Sequence, residues 1–216
     1  MLKYIYRYTP SPIWNTGRFI YRNYLKRKYL TKGRPFIPGE TFKARSRREK
    51  ENFFELYCRG EGLDIGYGGD PVVPGVDVWD FEHGDAQLLQ GAARGKYEFV
   101  YSSHTLEHLN DPSEAMYNWW RVLKPGGYLI IYIPHRDLYE KKKTLPSRFN
   151  DNHKHFFLID KDENPDTIGL IPLIRRTLTN YEIVYIKECS EGNTIKDPDR
   201  HSNGEYSIET VIRKIK

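Results

Sequence analysis

A glycine-rich turn is the first place in the chain where chemistry is expected. Residues 64–69 read Asp-Ile-Gly-Tyr-Gly-Gly. Glycines after a strand let the backbone approach a ligand closely, and the carboxylate of Asp64 can accept hydrogen bonds from an ammonium or hydroxyl group. Asp70 and Pro71 follow, where a dinucleotide fingerprint requires a third glycine and a helix. The turn therefore favours a ligand with a cationic head over a pyrophosphate.

Three ionisable side chains lie close together further along the chain. His104, Glu107 and His108 are spaced i, i+3 and i+4, which places them on one face if the segment is helical. One interpretation is a site for a divalent metal, with a fourth ligand from His135 or His153. In the other, His104 and His135 each follow a predicted strand and serve as general bases. A structural role for either histidine is the third alternative.

The pattern around these residues predicts alternating strands and helices. Apolar runs predict strands at 62–66, 98–102 and 128–133, and helical periodicity predicts helices at 45–58, 111–123 and 167–179. Residues 181–188 and 207–215 are rich in β-forming types and are expected to pair as closing strands. This alternation predicts an open parallel sheet that binds its ligand at the carboxyl ends of the strands.

The composition limits the class of protein. The chain has 216 residues, one domain's worth with an appendage, and its mean hydropathy is −0.72. It has no run of the ~20 apolar residues that a membrane-spanning helix needs. Lys3 and Arg7 interrupt the apolar run at the N-terminus, so no secretory signal is expected. Cys58 and Cys189 stand far apart, which argues against a disulfide framework and predicts a cytoplasmic protein.

Positive charge is concentrated at the N-terminus. Residues 1–50 contain 14 Lys and Arg but only two acidic residues, whereas the remainder is mildly acidic. We therefore divide the chain into a basic arm, residues 1–40, and a catalytic domain, residues 41–216. Residues 18–30 can form a helix with tyrosines on one side, and residues 1–30 are expected to dock on an anionic membrane surface. The alternative is an arm that packs its tyrosines on the domain and leaves its charges in water.

Three ordered segments resemble the class I S-adenosylmethionine-dependent methyltransferases. The first is Gly-Leu-Asp-Ile-Gly-Tyr-Gly-Gly at 62–69, similar to the family's loop for the methionine end of the cofactor. The second combines Gly-Val-Asp at 75–77 with Gly-Asp-Ala at 84–86. The third combines residues 102–109 with Arg-Val-Leu-Lys-Pro-Gly-Gly at 121–127. The resemblance covers roughly residues 60–134 and implies a Rossmann-like α/β fold with a parallel sheet and an antiparallel C-terminal edge strand.

The resemblance also implies a set of cofactor-binding residues. Asp77 corresponds to the family's ribose-binding acid and Asp85 to its acid at the adenine edge. Only about eight residues separate Gly66 from Gly75, too few for an ordinary helical crossover, so shortened early helices are expected and Asp80 is the substitute for Asp77. The expected cofactor site comprises Asp64, Gly66, Tyr67, Gly68, Asp77, Asp85, Ala86 and Ser103.

The implied reaction is transfer of a methyl group from S-adenosylmethionine to a hydroxyl or other polar acceptor. His104 and His135 are the candidate bases; the spacing of His104, Glu107 and His108 is also similar to a metal motif of some O-methyltransferases, with His104 replacing a glutamate. Polar residues at 135–155 favour a hydroxylated small molecule or a sugar of a surface polysaccharide as acceptor. Two alternatives stay open: an RNA methyltransferase that uses the basic arm, with nucleic acid the less favoured partner, and a cofactor-binding protein without catalysis.

Overall fold

The computed structural model describes residues 40–216, which form one main sheet flanked by helices. The strands are β1 (Gly62–Ile65), β2 (Asp77–Trp79), β3 (Tyr97–Ser103), β4 (Leu123–Pro134), β5 (Phe156–Leu158), β6 (Thr167–Gly169), β7 (Tyr181–Cys189) and β8 (Ser207–Lys214). The helices are α1 (Glu40–Lys43), α2 (Arg45–Lys50), α3 (Phe53–Tyr57), α4 (Pro112–Arg121), α5 (Arg136–Tyr139) and α6 (Leu170–Thr177). The arm's predicted helix at 18–30 lies outside the described residues.

The main sheet has the strand order β2-β1-β3-β4-β8-β7. The first four of these strands are parallel, β8 pairs antiparallel with β4, and β7 pairs antiparallel with β8. β5 and β6 form a separate two-stranded parallel sheet. The predictions of a parallel sheet and of an antiparallel C-terminal edge are therefore confirmed.

Side chains alternate between the two faces of the sheet and form a core on each. In β3, Val100 joins the core formed with α4 and α6, whereas Phe99 and Tyr101 join the core that contains Phe53 of α3. Trp119 of α4 is fully buried in the first core. Because successive residues of a strand point to opposite faces, both faces of this strand must be apolar.

The first two connections are short, as the sequence predicts. Residues 66–76 join β1 to the parallel β2 through turns alone, and a single 3-10 turn, Phe81–His83, follows β2. The regular helices on that side of the fold therefore come from elsewhere in the chain: α2 and α3 precede β1. The carboxyl ends of β1 and β2 carry compact loops as a result.

Two predicted helices differ from the structure. The helix expected at 45–58 is divided into α2 and α3 because Asn52 takes a left-handed backbone conformation, with φ of 53°. The helix expected at 167–179 begins only at Leu170, since residues 167–169 form β6. Helix α4 begins as predicted, where the Asp111 side chain accepts hydrogen bonds from the backbone amides of Ser113 and Glu114.

Buried ion pairs fix α2 to the sheet. The guanidinium of Arg48 contacts Glu209 of β8 at 2.6 Å, and both side chains are fully buried. Arg48 also donates to the Tyr101 hydroxyl at 2.8 Å, while Arg47 bridges Glu205 at 2.8 Å and Glu209 at 2.9 Å. Residues from α2 onward therefore belong to the same folded unit as the sheet, and the boundary proposed at residue 40 stays a prediction.

Candidate active site

The turn after β1 is held against the segment that follows β3. Gly66 has φ of +71°, and a Cβ added there would lie 2.0 Å from Oγ1 of Thr105. The Thr105 hydroxyl donates to the carbonyl of Ile65 at 3.3 Å and to that of Ser103 at 3.2 Å. Only glycine combines this backbone conformation with so close an approach. The two parallel strands thus deliver their following loops to a common position.

The next two glycines face open space. Gly68 and Gly69 have φ of +56° and +81°, and a Cβ on either would meet no described atom within 4 Å. The Gly68 amide donates to Oδ2 of Asp80 at 3.1 Å, which links this turn to the end of β2. An exposed backbone beside a carboxylate suits a ligand with cationic and hydroxyl groups, as S-adenosylmethionine has.

Asp64 lies beneath this turn rather than on its surface. Its side chain is buried, and its Oδ2 accepts a hydrogen bond from the amide of Val72 at 2.7 Å. The carboxylate therefore closes residues 64–72 into a loop. Its expected contact with the cofactor's ammonium group stays a prediction.

The end of β2 brings Asp80 to the turn instead of Asp77. Asp77 is the first residue of β2, and its carboxylate contacts Nζ of Lys96 at 2.8 Å. Asp80 follows the carboxyl end of β2, and its side chain caps the 3-10 turn through the amide of Phe81. The structure thus places the substitute acid, Asp80, beside Gly68, and it pairs Asp77 with a lysine.

Phe81 was not identified from the sequence. Its side chain is 98% exposed, the highest value among the large apolar side chains of the described residues. An aromatic residue directly after an acid at a strand end is a signal that was present in the sequence. A flat ligand bound beside Asp80 would cover this ring and remove its apolar surface from water.

Asp85 and Ala86 occupy the connection that leads from β2 toward β3. Oδ1 of Asp85 accepts a hydrogen bond from the amide of Gln87 at 2.7 Å, and the Ala86 carbonyl accepts from the indole of Trp119 at 2.8 Å. These bonds fix the connection on α4. The predicted contact of Asp85 with an adenine ring is compatible with this position and stays a prediction.

Tyr67 and Ser103 complete the predicted cofactor set. Tyr67 is near Asp80 and Glu82, and slight burial together with these charges raises the pKa of its phenol. Ser103 ends β3, and its Oγ is buried without a hydrogen-bond partner among residues 40–216. An unpaired buried hydroxyl carries a free-energy cost that a bound ligand relieves. The strand ends therefore provide turns, an acid, an aromatic ring and a hydroxyl that fit the cofactor.

His104 is buried just beyond Ser103. Its backbone φ is 51°, its Nε2 lies 2.9 Å from the hydroxyl of Ser207, and its Nδ1 lies 3.6 Å from Oε1 of Glu107. The left-handed conformation prevents a helix from including His104, so only Leu106–His108 form a 3-10 turn and the predicted helical face does not exist. Burial lowers the pKa of His104 to about 4. The ring is therefore neutral near pH 7.

His135 lies at the end of β4 and caps the following helix. Its Nδ1 accepts a hydrogen bond from the amide of Asp137 at 3.2 Å, and its Nε2 lies 3.7 Å from Oε2 of Glu188. Burial lowers its pKa. These contacts cap α5, and the structure does not group His135 with the other metal-ligand candidates. Its expected role as a base stays a prediction.

Glu107, His108 and His153 converge on one point. Their ligand atoms all lie within 4.8 Å of one another. Oε1 of Glu107 is 3.9 Å from Nε2 of His108 and 4.0 Å from Nε2 of His153. Of the two sequence alternatives for a further ligand, the structure brings His153 and not His135 to this cluster. The link is direct, because the amide of Lys154 donates to the backbone carbonyl of Glu107 at 2.8 Å.

The carboxyl group of Glu107 is in an unusual environment. It is buried, and neither of its oxygens has a hydrogen-bond partner in the part of the chain that the structure describes. Burial, together with the charges of Glu40 and Glu140, raises its pKa to about 8. Perturbed ionisable groups of this kind are concentrated at functional sites.

A cleft of about 330 Å³ opens next to the residues that follow β4. Four lysines contribute to its lining: Lys141, Lys142, Lys143 and Lys196. The ammonium of Lys141 donates to three backbone carbonyls within residues 195–200, which fixes the C-terminal wall. One acid, Asp137, also lines the cleft, so its charged lining is net positive beside the region expected to hold the acceptor.

Part of the chain is similar to known methyltransferases. Residues 63–131 match the family model described as a methyltransferase domain. A trans-aconitate 2-methyltransferase from Deinococcus radiodurans is 30% identical over 71 residues, which are 33% of this chain and 26% of that protein. The match thus spans about a quarter of the length of that curated relative.

Solved structures give the same kind of match. A methyltransferase from Thermotoga maritima is 18% identical, covers 81% of this chain and 98% of its own, and has a TM-score of 0.45. One from Mesorhizobium loti is 11% identical, covers 71% and 90%, and has a TM-score of 0.43. No helix within residues 40–216 has the length and apolar character needed to cross a membrane. Residues 63–131 thus match a methyltransferase domain, and the observed strand order is that of a Rossmann-like methyltransferase fold.

Proposed function

We propose that the protein transfers a methyl group from S-adenosylmethionine to a hydroxyl group of an anionic, sugar-like acceptor. The observation that carries the cofactor assignment is the group of features at the carboxyl ends of β1, β2 and β3. Gly68 is open, Asp80 is beside it, Phe81 is exposed and the hydroxyl of Ser103 has no partner among the described residues. In a parallel sheet these ends form the ligand-binding edge.

The bound cofactor would supply a methyl group on a positively charged sulfur, which passes to oxygen as the sulfur–carbon bond breaks. The chain's main task is then alignment of the acceptor oxygen, with a group nearby to accept the hydroxyl proton. His104 is neutral near pH 7 because burial lowers its pKa to about 4, so a ring nitrogen can accept that proton, although the same burial makes it a weaker base. We therefore keep His104 as the candidate base and assign His135 to positioning of α5.

The acceptor proposal rests on the electropositive cleft. Lys142, Lys143 and Lys196 line it next to the end of β4, where an acceptor must approach the methyl group. Ammonium groups recognise carboxylate or phosphate groups, and the neighbouring polar residues can hydrogen-bond sugar hydroxyls. These features favour an anionic sugar, such as the repeating unit of a polysaccharide, over an apolar acceptor.

Cofactor binding is tested by calorimetry with S-adenosylhomocysteine on the full-length protein. Phe81→Ala and Asp80→Asn should each weaken binding about tenfold or more, since they remove a stacking surface and a charged acceptor. Their melting temperatures should be nearly unchanged, because Phe81 is 98% exposed and asparagine can still cap the turn. Tyr117→Ala, at a half-exposed ring of α4, is the matched control and should bind normally. Absence of binding to the unaltered protein would remove the basis of the proposal.

Turnover tests the acceptor. S-adenosylhomocysteine formation should be measured with anionic oligosaccharides, their neutral counterparts and RNA. Lys143→Ala combined with Lys196→Ala should raise KM for anionic sugars and leave KM for S-adenosylmethionine unchanged. Turnover with RNA alone would favour the RNA methyltransferase alternative, and cofactor binding without turnover on any acceptor would favour a non-catalytic role.

A further inference from the structure

In the cluster of Glu107, His108 and His153, the Nδ1 atom of each imidazole, which faces away from Glu107, contacts a group that only accepts hydrogen bonds. Nδ1 of His153 lies 2.8 Å from Oε1 of Glu140, and Nδ1 of His108 lies 3.1 Å from the backbone carbonyl of Asn152. Each Nδ1 must therefore carry the proton in these contacts. In the neutral form of each ring, Nε2 then has a lone pair, and both lone pairs face the carboxyl group of Glu107.

Glu140 is itself firmly held. Its side chain is buried, and it accepts hydrogen bonds from the hydroxyl of Ser147 at 2.8 Å and from the amide of Arg148 at 3.1 Å. A carboxylate that fixes the outer nitrogen of a histidine sets the ring's orientation and raises the basicity of its inner nitrogen. The chain thus supplies a positioning group for His153 whose own hydrogen bonds are satisfied.

Two lone pairs and a carboxylate cannot satisfy one another, and a protonated Glu107 could donate to only one of the two imidazoles, each of which lies beyond hydrogen-bond distance at 3.9 and 4.0 Å. Such a convergence of acceptors costs free energy unless a positive centre lies between them. Ligand atoms ~2.1 Å from one tetrahedral ion lie ~3.4 Å apart, so the observed 3.9 and 4.0 Å between Glu107 and the two imidazoles are each longer by about half an ångström. The ligand atoms all lie within 4.8 Å of one another, so binding an ion requires the widest pair to close by up to ~1.4 Å.

We propose that Glu107, His108 and His153 bind a divalent transition-metal ion of the Zn²⁺ class. Two imidazoles and one carboxylate form a donor set that suits zinc and its neighbours, whereas Mg²⁺ prefers oxygen ligands. Three protein ligands leave a coordination position for a further group. The side chain of His108 is partly exposed, so that position is accessible from solvent.

A catalytic use of the ion rests on the proposed function. An ion at this position lies a few residues beyond Ser103, the end of β3, and therefore beside the binding edge of the sheet. There it would coordinate the acceptor hydroxyl and lower its pKa, which makes the oxygen a better nucleophile. Metal binding itself does not depend on methyl transfer, and the two are measured separately.

The test uses metal-free full-length protein titrated with Zn²⁺, with the bound metal counted by elemental analysis and with Co²⁺ absorption as a spectroscopic probe. One ion should bind per chain, and His108→Asn and Glu107→Gln should each weaken binding at least 100-fold. His155→Asn is the matched control, because His155 lies two residues from His153 but contacts the carbonyl of Asn110 instead. It should bind Zn²⁺ normally.

Weaker Zn²⁺ binding by His108→Asn and Glu107→Gln supports the site only if both variants remain folded. Circular dichroism and S-adenosylhomocysteine calorimetry on the same samples measure this, since the cofactor residues are separate from the metal ligands. Equal Zn²⁺ affinity in the unaltered protein and in folded His108→Asn, or no stoichiometric binding at all, would overturn the proposal. Cofactor binding without metal binding would then refute the metal site and leave the proposed function intact.

Discussion

Replacement of Gly66 by alanine should disrupt the contact between the β1 and β3 loops, with a cost that the structure divides into two parts. A left-handed conformation, here with φ of +71°, costs an L-residue ~1–2 kcal/mol. The new methyl group would lie 2.0 Å from Oγ1 of Thr105, and moving packed atoms apart typically costs ~1–3 kcal/mol. Gly66→Ala should therefore lower the free energy of unfolding by about 2–5 kcal/mol.

Two other glycines separate the cost of backbone strain from the cost of the contact with Thr105. Gly68→Ala and Gly91→Ala impose the same backbone strain, with φ of +56° and +84°, but meet nothing described within 4 Å. Each should cost only ~1–2 kcal/mol. Gly68→Ala should also weaken S-adenosylhomocysteine binding, because its methyl group enters the space proposed for the cofactor, whereas Gly91→Ala should not.

The free energy of unfolding is measured by urea unfolding and the affinity for S-adenosylhomocysteine by calorimetry. Both assays are run on these variants and on a double variant that combines Gly66→Ala with Thr105→Ala. In the double variant the clash with Oγ1 is removed, so the two substitutions should show a favourable coupling of about 1–3 kcal/mol. Strictly additive effects would refute the reasoning, since they would mean that the alanine methyl group does not meet Thr105. The reasoning would also be refuted if Gly68→Ala lowered the free energy of unfolding as much as Gly66→Ala does.

Three further outcomes are expected. Burial by itself raises the pKa of Glu209, but Arg48 and Arg47 lower it to about 2, so Glu209→Gln should destabilise the protein at pH 7 by ~3–5 kcal/mol. Urea unfolding should show that the difference in free energy of unfolding between the two proteins narrows as pH falls from about 4.5 toward 2, where the native carboxylate takes up a proton. A difference that stays constant over this range would contradict the assignment. Asp111→Ala removes the cap of α4 and should cost ~1 kcal/mol in thermal unfolding, whereas Glu114→Ala, which keeps the cap, should cost less. Deletion of residues 1–30 should leave cofactor affinity nearly unchanged and reduce the salt-dependent binding to anionic vesicles in co-sedimentation; loss of cofactor binding would instead make the arm part of the domain.

Most of the sheet could be predicted because its strands are encoded locally. Apolar runs predict β1 and β3 to within one residue, whereas β4 begins at Leu123, five residues before the predicted 128; the cap at Asp111 predicts the start of α4. The division of the first helix depends on one residue, Asn52, whose left-handed conformation has no reliable signal in sequence. The short β6 depends on pairing with β5, a contact between segments that local patterns do not reveal.

The candidate site was predictable in its loops and less so in its side-chain partners. The sequence places Gly66, Gly68 and Ser103 at strand ends, and it assigns the ribose to Asp77 with Asp80 as the substitute. The structure places Lys96 against Asp77, a pairing across 19 residues that spacing cannot show, and Asp80 beside Gly68, and the acid that contacts the ribose stays a prediction. The metal-ligand candidates show the same limit, because helical spacing grouped His104 with Glu107 and His108, whereas the described backbone replaces that helix with a 3-10 turn.

The segment after β3 connects the two parts of the site. Ser103 ends β3 with a hydroxyl that has no described partner, Thr105 contacts Gly66, and Glu107 contributes the carboxyl group of the proposed metal site. His104 lies between them with φ of 51°, a conformation that turns the chain sharply and ends β3. Because both ends of this short segment are held by hydrogen bonds, the distance between cofactor and cluster is set by local backbone geometry. A substitution beside His104 that keeps its imidazole but relaxes the turn should therefore misalign methyl donor and acceptor even where each still binds, which would lower kcat with little change in either affinity.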